Sequence, residues 1–253
     1  MQNNSIILDA IKDAQSRSRL ATIANMFLAF AVFLACWNAY FSWNRYLVIS
    51  WKDAHKDEAT ADLREMLQQE WMKSRTISLS PLGIQIGVHD IAPIGGAIML
   101  TGAIWHLLVI RREHVVIREA VRSGNDPENV RIAVYHYSLF LDDVDTSRVS
   151  KLSHFAFRKL KELVCYAPFF AASFAFLVDI LCVFLKDPFD VNEDRMIKHI
   201  LSDGGLTFWL VTFWLFTIAL LVFNFLCCRH TLGILRKTEQ EASKLNYDVG
   251  SAG

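Results

Sequence analysis

Four long apolar runs alternate with polar segments along the chain. They cover residues 20–41, 91–110, 163–185 and 206–228. As α-helices, runs of about 20 residues cross the roughly 30 Å hydrocarbon core of a bilayer. The first, second and fourth runs contain no charged residue, and the third contains only Asp179. The pattern therefore predicts an all-α, polytopic membrane protein with four transmembrane helices.

The basic residues that separate these runs predict an orientation. Ten Lys and Arg residues lie in segment 111–162, whereas segment 186–205 has three. Since short cytoplasmic loops carry an excess of Lys and Arg, we expect both termini in the cytoplasm. The predicted order is a cytoplasmic segment (1–19), TM1 (20–43), an extracytoplasmic loop (44–90), TM2 (91–110), a cytoplasmic hairpin (111–162), TM3 (163–185), an extracytoplasmic loop (186–205), TM4 (206–228) and a cytoplasmic tail (229–253). This architecture is common among bacterial proteins, so we expect an integral protein of a bacterial inner membrane.

The first loop has two different patterns. Apolar residues recur at helical spacing in 54–72, which predicts an amphipathic helix. Residues 77–79 and 84–88 instead alternate between apolar and polar, which is typical of strands. Between them, Ser80 and Pro81 stand at positions that favour a type I turn. We therefore predict a short extracytoplasmic β-hairpin before the second span.

The second loop predicts a cytoplasmic helical hairpin. The helix of the second span is expected to continue to about residue 121 and to break at 123–125, and Pro127 suits the first position of the next helix. Val134, Tyr137 and Leu141 then follow at helical spacing. This apolar stripe packs either on the other helix of the hairpin or on another protein. The three residues are the candidate partner surface.

Polar residues inside the spans form two candidate layers. Asp179 shares a helix face with small residues, which favours a position between helices. Counted from the outer ends of their spans, Asn38 and Thr212 reach a similar depth. The second layer, near the inner ends, is Asn25, His106 and Asn224. These layers are interpreted either as an ion or proton path or as interhelical hydrogen bonds.

Charge and motifs narrow the classes of function. The chain has 26 basic and 26 acidic residues, and this net charge near zero gives no reason to expect a nucleic-acid partner. Its eight histidines show no metal-binding spacing, and no nucleotide-binding or hydrolase motif occurs. We therefore expect no metal, no cofactor and no enzymatic activity.

Three functions fit this pattern. The first is a non-catalytic scaffold or accessory subunit of a membrane protein assembly, in contact with the lipid bilayer and with other membrane subunits or further copies of itself. The second is an oligomeric ion channel, transporter or membrane-permeabilising effector that uses Asp179. The third is a transmembrane sensor with an outer receiver and a cytoplasmic output hairpin.

Overall fold

Five helices form most of the part of the chain that the computed structural model describes, which is residues 2–53, 76–79, 84–87, 91–123, 127–138, 151–184 and 204–251. The helices are α1 (Gln2–Asp53), α2 (Ile91–Ser123), α3 (Pro127–Tyr137), α4 (Lys151–Phe184) and α5 (Gly204–Ser251). Of these, α1, α2, α4 and α5 are long and apolar enough to cross a membrane. The prediction of four apolar helices long enough to span a membrane is confirmed, and the fold is consistent with an integral membrane protein.

The long helices extend well past the apolar runs. Helix α1 begins at Gln2, and α5 continues to Ser251, so the segments predicted as a leading segment and a tail are largely helical. In the first of these segments, Ile11 and Ala14 are almost completely buried. A segment that carries charges can still pack as a helix when its apolar residues lie on one face. Such a segment contains no uninterrupted apolar run.

Two short strands, β1 (Thr76–Leu79) and β2 (Ile84–Gly87), pair antiparallel, with Ile77 opposite Ile86. The side of the membrane on which they lie stays a prediction. Helix α2 ends at Ser123 and α3 begins at Pro127, next to the predicted break. Proline is favoured at the first position of a helix because that position needs no amide donor. The amphipathic helix predicted at 54–72 lies outside the described residues.

The chain divides into two compact units, each assembled from separate stretches of sequence. Unit 1 comprises Met1–Leu28, Met99–Phe169 and Phe223–Gly253, and unit 2 comprises Ala29–Ile98 and Phe170–Val222. Ile11, Ile117, Val134 and Leu245 belong to one hydrophobic cluster of unit 1. Helices α1, α2, α3 and α5 therefore share a core in this unit.

Close contacts between helices also hold unit 2 together. The rings of Phe33 and Phe174 lie 4.6 Å apart between their centroids, which joins α1 to α4. A side-chain carbon at Gly95 would lie 3.3 Å from Cγ1 of Val32. Small residues permit such close approach of helices where no water is present to drive packing. Glycine at this position therefore allows α1 and α2 to pack closely.

Candidate functional site

A stripe of buried polar residues follows one face of α1 in unit 1. Gln15, Ser18, Thr22 and Asn25 are spaced three, four and three residues apart, and each is at most 2% exposed. This is the spacing at which one face of a helix meets its neighbours in a bundle. Polar side chains thus occupy positions where apolar residues would be expected.

Two members of the stripe bond to α2. Oγ1 of Thr22 donates to the carbonyl oxygen of Ser18 at 2.9 Å and lies 3.0 Å from Nε2 of His106. Because the hydroxyl proton is committed to Ser18, Nε2 of His106 must be the donor in the second bond, which assigns the tautomer of this ring. His106 is 3% exposed. Its position is thus fixed by a hydrogen bond between two helices.

Asn25 makes the neighbouring contact, three residues along α1. Its Nδ2 donates to the carbonyl oxygen of Gly102 at 3.1 Å. A side-chain carbon at Gly102 would collide with Oδ1 of Asn25. The amide can therefore reach the backbone of α2 only because residue 102 has no side chain.

Asn224 completes the predicted inner layer from α5, where it is fully buried. Its Oδ1 accepts a hydrogen bond from Sγ of Cys228 at 3.4 Å, within the same helix. Among the described residues, Nδ2 of Asn224 and Oδ1 of Asn25 have no hydrogen-bond partner. The structure buries all three predicted residues of this layer in unit 1, and it bonds Asn25 and His106 to neighbouring helices.

A buried carboxyl group lies three residues beyond the end of the second apolar run. Glu113 is 4% exposed and follows Arg111 and Arg112, which are exposed at the end of the run. Burial raises the pKa of Glu113 from 4.5 to about 7, while a hydrogen bond with Ser18 and the charge of Arg19 act in the opposite direction. The sequence gives one signal for this residue, because Glu113 falls seven residues after His106 on the same face of α2.

Asp179, in unit 2, is buried between helices. It is 5% exposed, and its Oδ2 accepts a hydrogen bond from Nε1 of Trp214 on α5 at 3.1 Å. Asn38 and Thr212 are exposed, and Oγ1 of Thr212 donates to the carbonyl oxygen of Phe208 in its own helix. The structure thus joins Asp179 to Trp214, which the sequence pattern does not single out, and it puts Asn38 and Thr212 on the surface of their helices.

Of the candidate partner surface Val134, Tyr137 and Leu141, the structure describes only the side chain of Val134. Val134 is fully buried in the hydrophobic cluster of unit 1, and its carbonyl oxygen accepts a hydrogen bond from Nε2 of Gln15 at 2.9 Å. It therefore contacts helices of its own chain. Tyr137 ends α3, and its side chain and all of Leu141 lie outside the described residues.

Charged residues join α4 to α5 in unit 1. Nζ of Lys161 bonds to a carboxylate oxygen of Glu239, and a guanidinium nitrogen of Arg236 lies 3.1 Å from a carboxylate oxygen of Glu162. Lys161 is 6% exposed, whereas Arg236 is 61% exposed at its side chain. The pair of Lys161 is buried on the lysine side only, because Glu239 is 42% exposed at its side chain. Both pairs join α4 to α5, and each keeps one partner in contact with the surroundings, where ion pairs contribute little to stability.

No family model, curated protein or solved structure matches this chain. The class that the fold defines is a helical membrane protein with four apolar helices long enough to span a bilayer.

Proposed function

We propose that this chain is a non-catalytic integral membrane protein that acts as a scaffold or accessory subunit, and that α5 docks against a transmembrane segment of another subunit or a second copy. The observation that carries the proposal is the low burial of α5. Only 11% of its most apolar window is buried within the chain, against 33% to 39% in α1, α2 and α4. Yet this window of α5 has a higher mean hydropathy than the corresponding windows of α1, α2 and α4. A helix with so little burial within its own chain is the one with most surface left for a partner.

One line of exposed residues on α5 has the spacing of a helix–helix contact. Phe208, Thr212, Leu215, Ala219 and Val222 are spaced four, three, four and three residues apart, and all are exposed. We call these five residues the α5 docking line. It extends over about 21 Å at 1.5 Å per residue. Ala219 would let the backbone of a partner helix approach closely. The hydroxyl of Thr212 already donates a hydrogen bond within its own helix, so contact with an apolar partner would leave no polar side chain without a hydrogen bond.

The polar groups inside the units favour packing over ion conduction. Asp179 accepts from Trp214, His106 contacts Thr22, and Asn25 donates to a backbone carbonyl. Each bond joins two helices. Groups engaged in this way stabilise a bundle, whereas a conducting path needs a continuous row of polar groups open to water. These contacts support the scaffold over the channel or transporter that uses Asp179.

The proposed orientation follows the charge of the loops. Both termini would lie in the cytoplasm of a bacterium and the membrane would be its inner membrane, with β1 and β2 on the outer side and the segment 111–162 on the inner side. Ten basic residues in that segment support this orientation.

A bulky residue in the docking line provides the test. Ala219→Phe should block close approach of a partner, and Ala31→Phe is the matched control, because Ala31 is an exposed alanine on α1 of the same unit. The measurement is the mass of the complex and its composition after extraction from the native membrane in mild detergent. We expect a heavier complex for the wild type and for Ala31→Phe and its loss for Ala219→Phe. A lone chain in all three samples, or a complex that Ala219→Phe leaves intact, would refute the proposal.

A photo-crosslinking residue tests the same surface without breaking it. Placed at Leu215, which is 62% exposed, it should capture a protein chain in intact membranes. The control position is Phe30 of α1, also in unit 2 and 58% exposed. Equal capture at both positions would show that exposure alone explains the crosslinks.

A further inference from the structure

An open groove of about 510 Å³ lies on unit 1 where the apolar run of α5 ends. Phe223 and Leu226 of α5 and Leu107 of α2 line its apolar part. Past residue 228 the lining becomes basic and includes Arg229, His230 and Lys237. The groove thus passes from hydrocarbon-like to cationic chemistry along one helix.

This change of chemistry coincides with a membrane boundary. Arg229 is the first charged residue after the fourth apolar run, so its guanidinium group falls at the level of lipid headgroups if the run spans the bilayer. Arg229, His230 and Lys237 are exposed. Among the described residues that line the groove, none is acidic. Two basic side chains on a lining without a carboxylate favour an anionic occupant.

Gly233 contributes to the open space of the groove. It lies between Arg229 and Lys237 on the lining of α5, and a side-chain carbon built there would meet no atom within 4 Å. Glycine is not required there by helix packing and is unfavourable in a helix interior. A side chain at residue 233 would therefore begin in open space and narrow the groove.

We propose that this groove binds one anionic phospholipid. Its phosphate pairs with Arg229 and Lys237, and its acyl chain lies on Phe223 and Leu226. Basic residues near a membrane surface attract anionic headgroups, and apolar side chains that continue into the hydrocarbon region hold the chain. The site is separate from the α5 docking line and does not depend on the proposed subunit contact.

Lipid binding to the purified full-length protein is the test. Phosphatidylglycerol is titrated into the detergent-solubilised protein, and bound lipid is counted by native mass spectrometry, with phosphatidylcholine and inorganic phosphate as the comparison probes. We expect one tightly bound phosphatidylglycerol, weaker phosphatidylcholine and no saturable phosphate. The double variant Arg229→Gln/Lys237→Gln should bind phosphatidylglycerol about 30-fold more weakly, at about fivefold per basic residue.

Two further variants make the result decisive. Arg158→Gln removes an exposed arginine of α4 outside the groove and should leave affinity unchanged, which controls for general surface charge. Gly233→Leu narrows the groove and keeps every charge, so it should lower the affinity at least tenfold while the helix content by circular dichroism is retained. Equal binding of phosphatidylglycerol and phosphatidylcholine, saturable binding of inorganic phosphate alone, or wild-type affinity in Gly233→Leu would each overturn the proposal.

Discussion

Gly102→Ala offers the sharpest test of the contact between α1 and α2. The added methyl group would collide with Oδ1 of Asn25, whose Nδ2 is bonded 3.1 Å away to the carbonyl oxygen of Gly102. Either the amide rotates away and loses this bond, or the two helices separate. Both responses weaken unit 1, because they leave a buried amide or a buried carbonyl without its partner.

The expected change in the free energy of unfolding combines two costs and one gain. Overpacking of a tight contact costs about 1–3 kcal/mol, and the lost hydrogen bond adds roughly 0.6 kcal/mol in a membrane setting. Alanine recovers up to about 1 kcal/mol of helix propensity. We therefore expect the free energy of unfolding to fall by about 1–2 kcal/mol.

Gly96→Ala is the matched control on the same helix. Its new carbon would lie 3.5 Å from Cδ1 of Leu220, which is ordinary van der Waals contact. It should leave stability unchanged or raise it by up to about 1 kcal/mol. Unfolding in detergent, followed by circular dichroism against increasing denaturant, measures both variants.

A second background makes the reasoning refutable. In Asn25→Ala the obstructing oxygen is gone, so Gly102→Ala should become neutral or stabilising there. The same loss in both backgrounds would show that the amide is not the cause. A Gly102→Ala variant as stable as Gly96→Ala would contradict the contact itself.

Two other predictions concern buried polar groups. Because burial holds the folded-state pKa of Glu113 at about 7, above its ordinary 4.5, the stabilising contribution of its protonated form is complete below pH 4.5 and is lost as the pH rises through 7. The free energy of unfolding of the wild type should fall by about 2 kcal/mol between pH 5 and pH 8. The Glu113→Gln variant should not show this fall. Parallel pH profiles of stability for the two proteins would contradict the prediction. Trp214→Phe removes the indole donor to Asp179 and should lower the free energy of unfolding by about 1–2 kcal/mol in the same assay. The loss should be much smaller when Asp179→Leu is already present. An equal loss in both backgrounds would argue against the bond.

Much of the helical architecture could be predicted from local pattern. Uncharged stretches of about 20 residues have few stable alternatives to a membrane-spanning helix, because unpaired backbone groups are costly in hydrocarbon. Pro127 similarly indicated where α3 begins. The lengths of α1 and α5 were missed because their ends carry charges, and only packing shows which face of such a segment is buried.

The polar residues were harder to place. Depth along a span is readable from sequence, and it brought Asn25, His106 and Asn224 to attention, all of which are buried. Depth does not give the direction in which a side chain points around the helix. Asn38 and Thr212 lie at a similar depth to Asp179, yet both are exposed. Trp214 could not be identified as the partner of Asp179, because an indole on a distant helix gives no local signal.

The number of long apolar helices follows from the amino-acid sequence, since hydrophobicity and length are properties of each segment alone. The faces at which those helices meet depend on how the chain packs. The close approach of Asn25 to Gly102, the bond from Trp214 to Asp179 and the burial of Val134 all join residues far apart in the chain. In a bilayer the lipid is as apolar as the side chains, so small residues and single hydrogen bonds select these contacts. Such contacts leave little trace in the local pattern of the sequence.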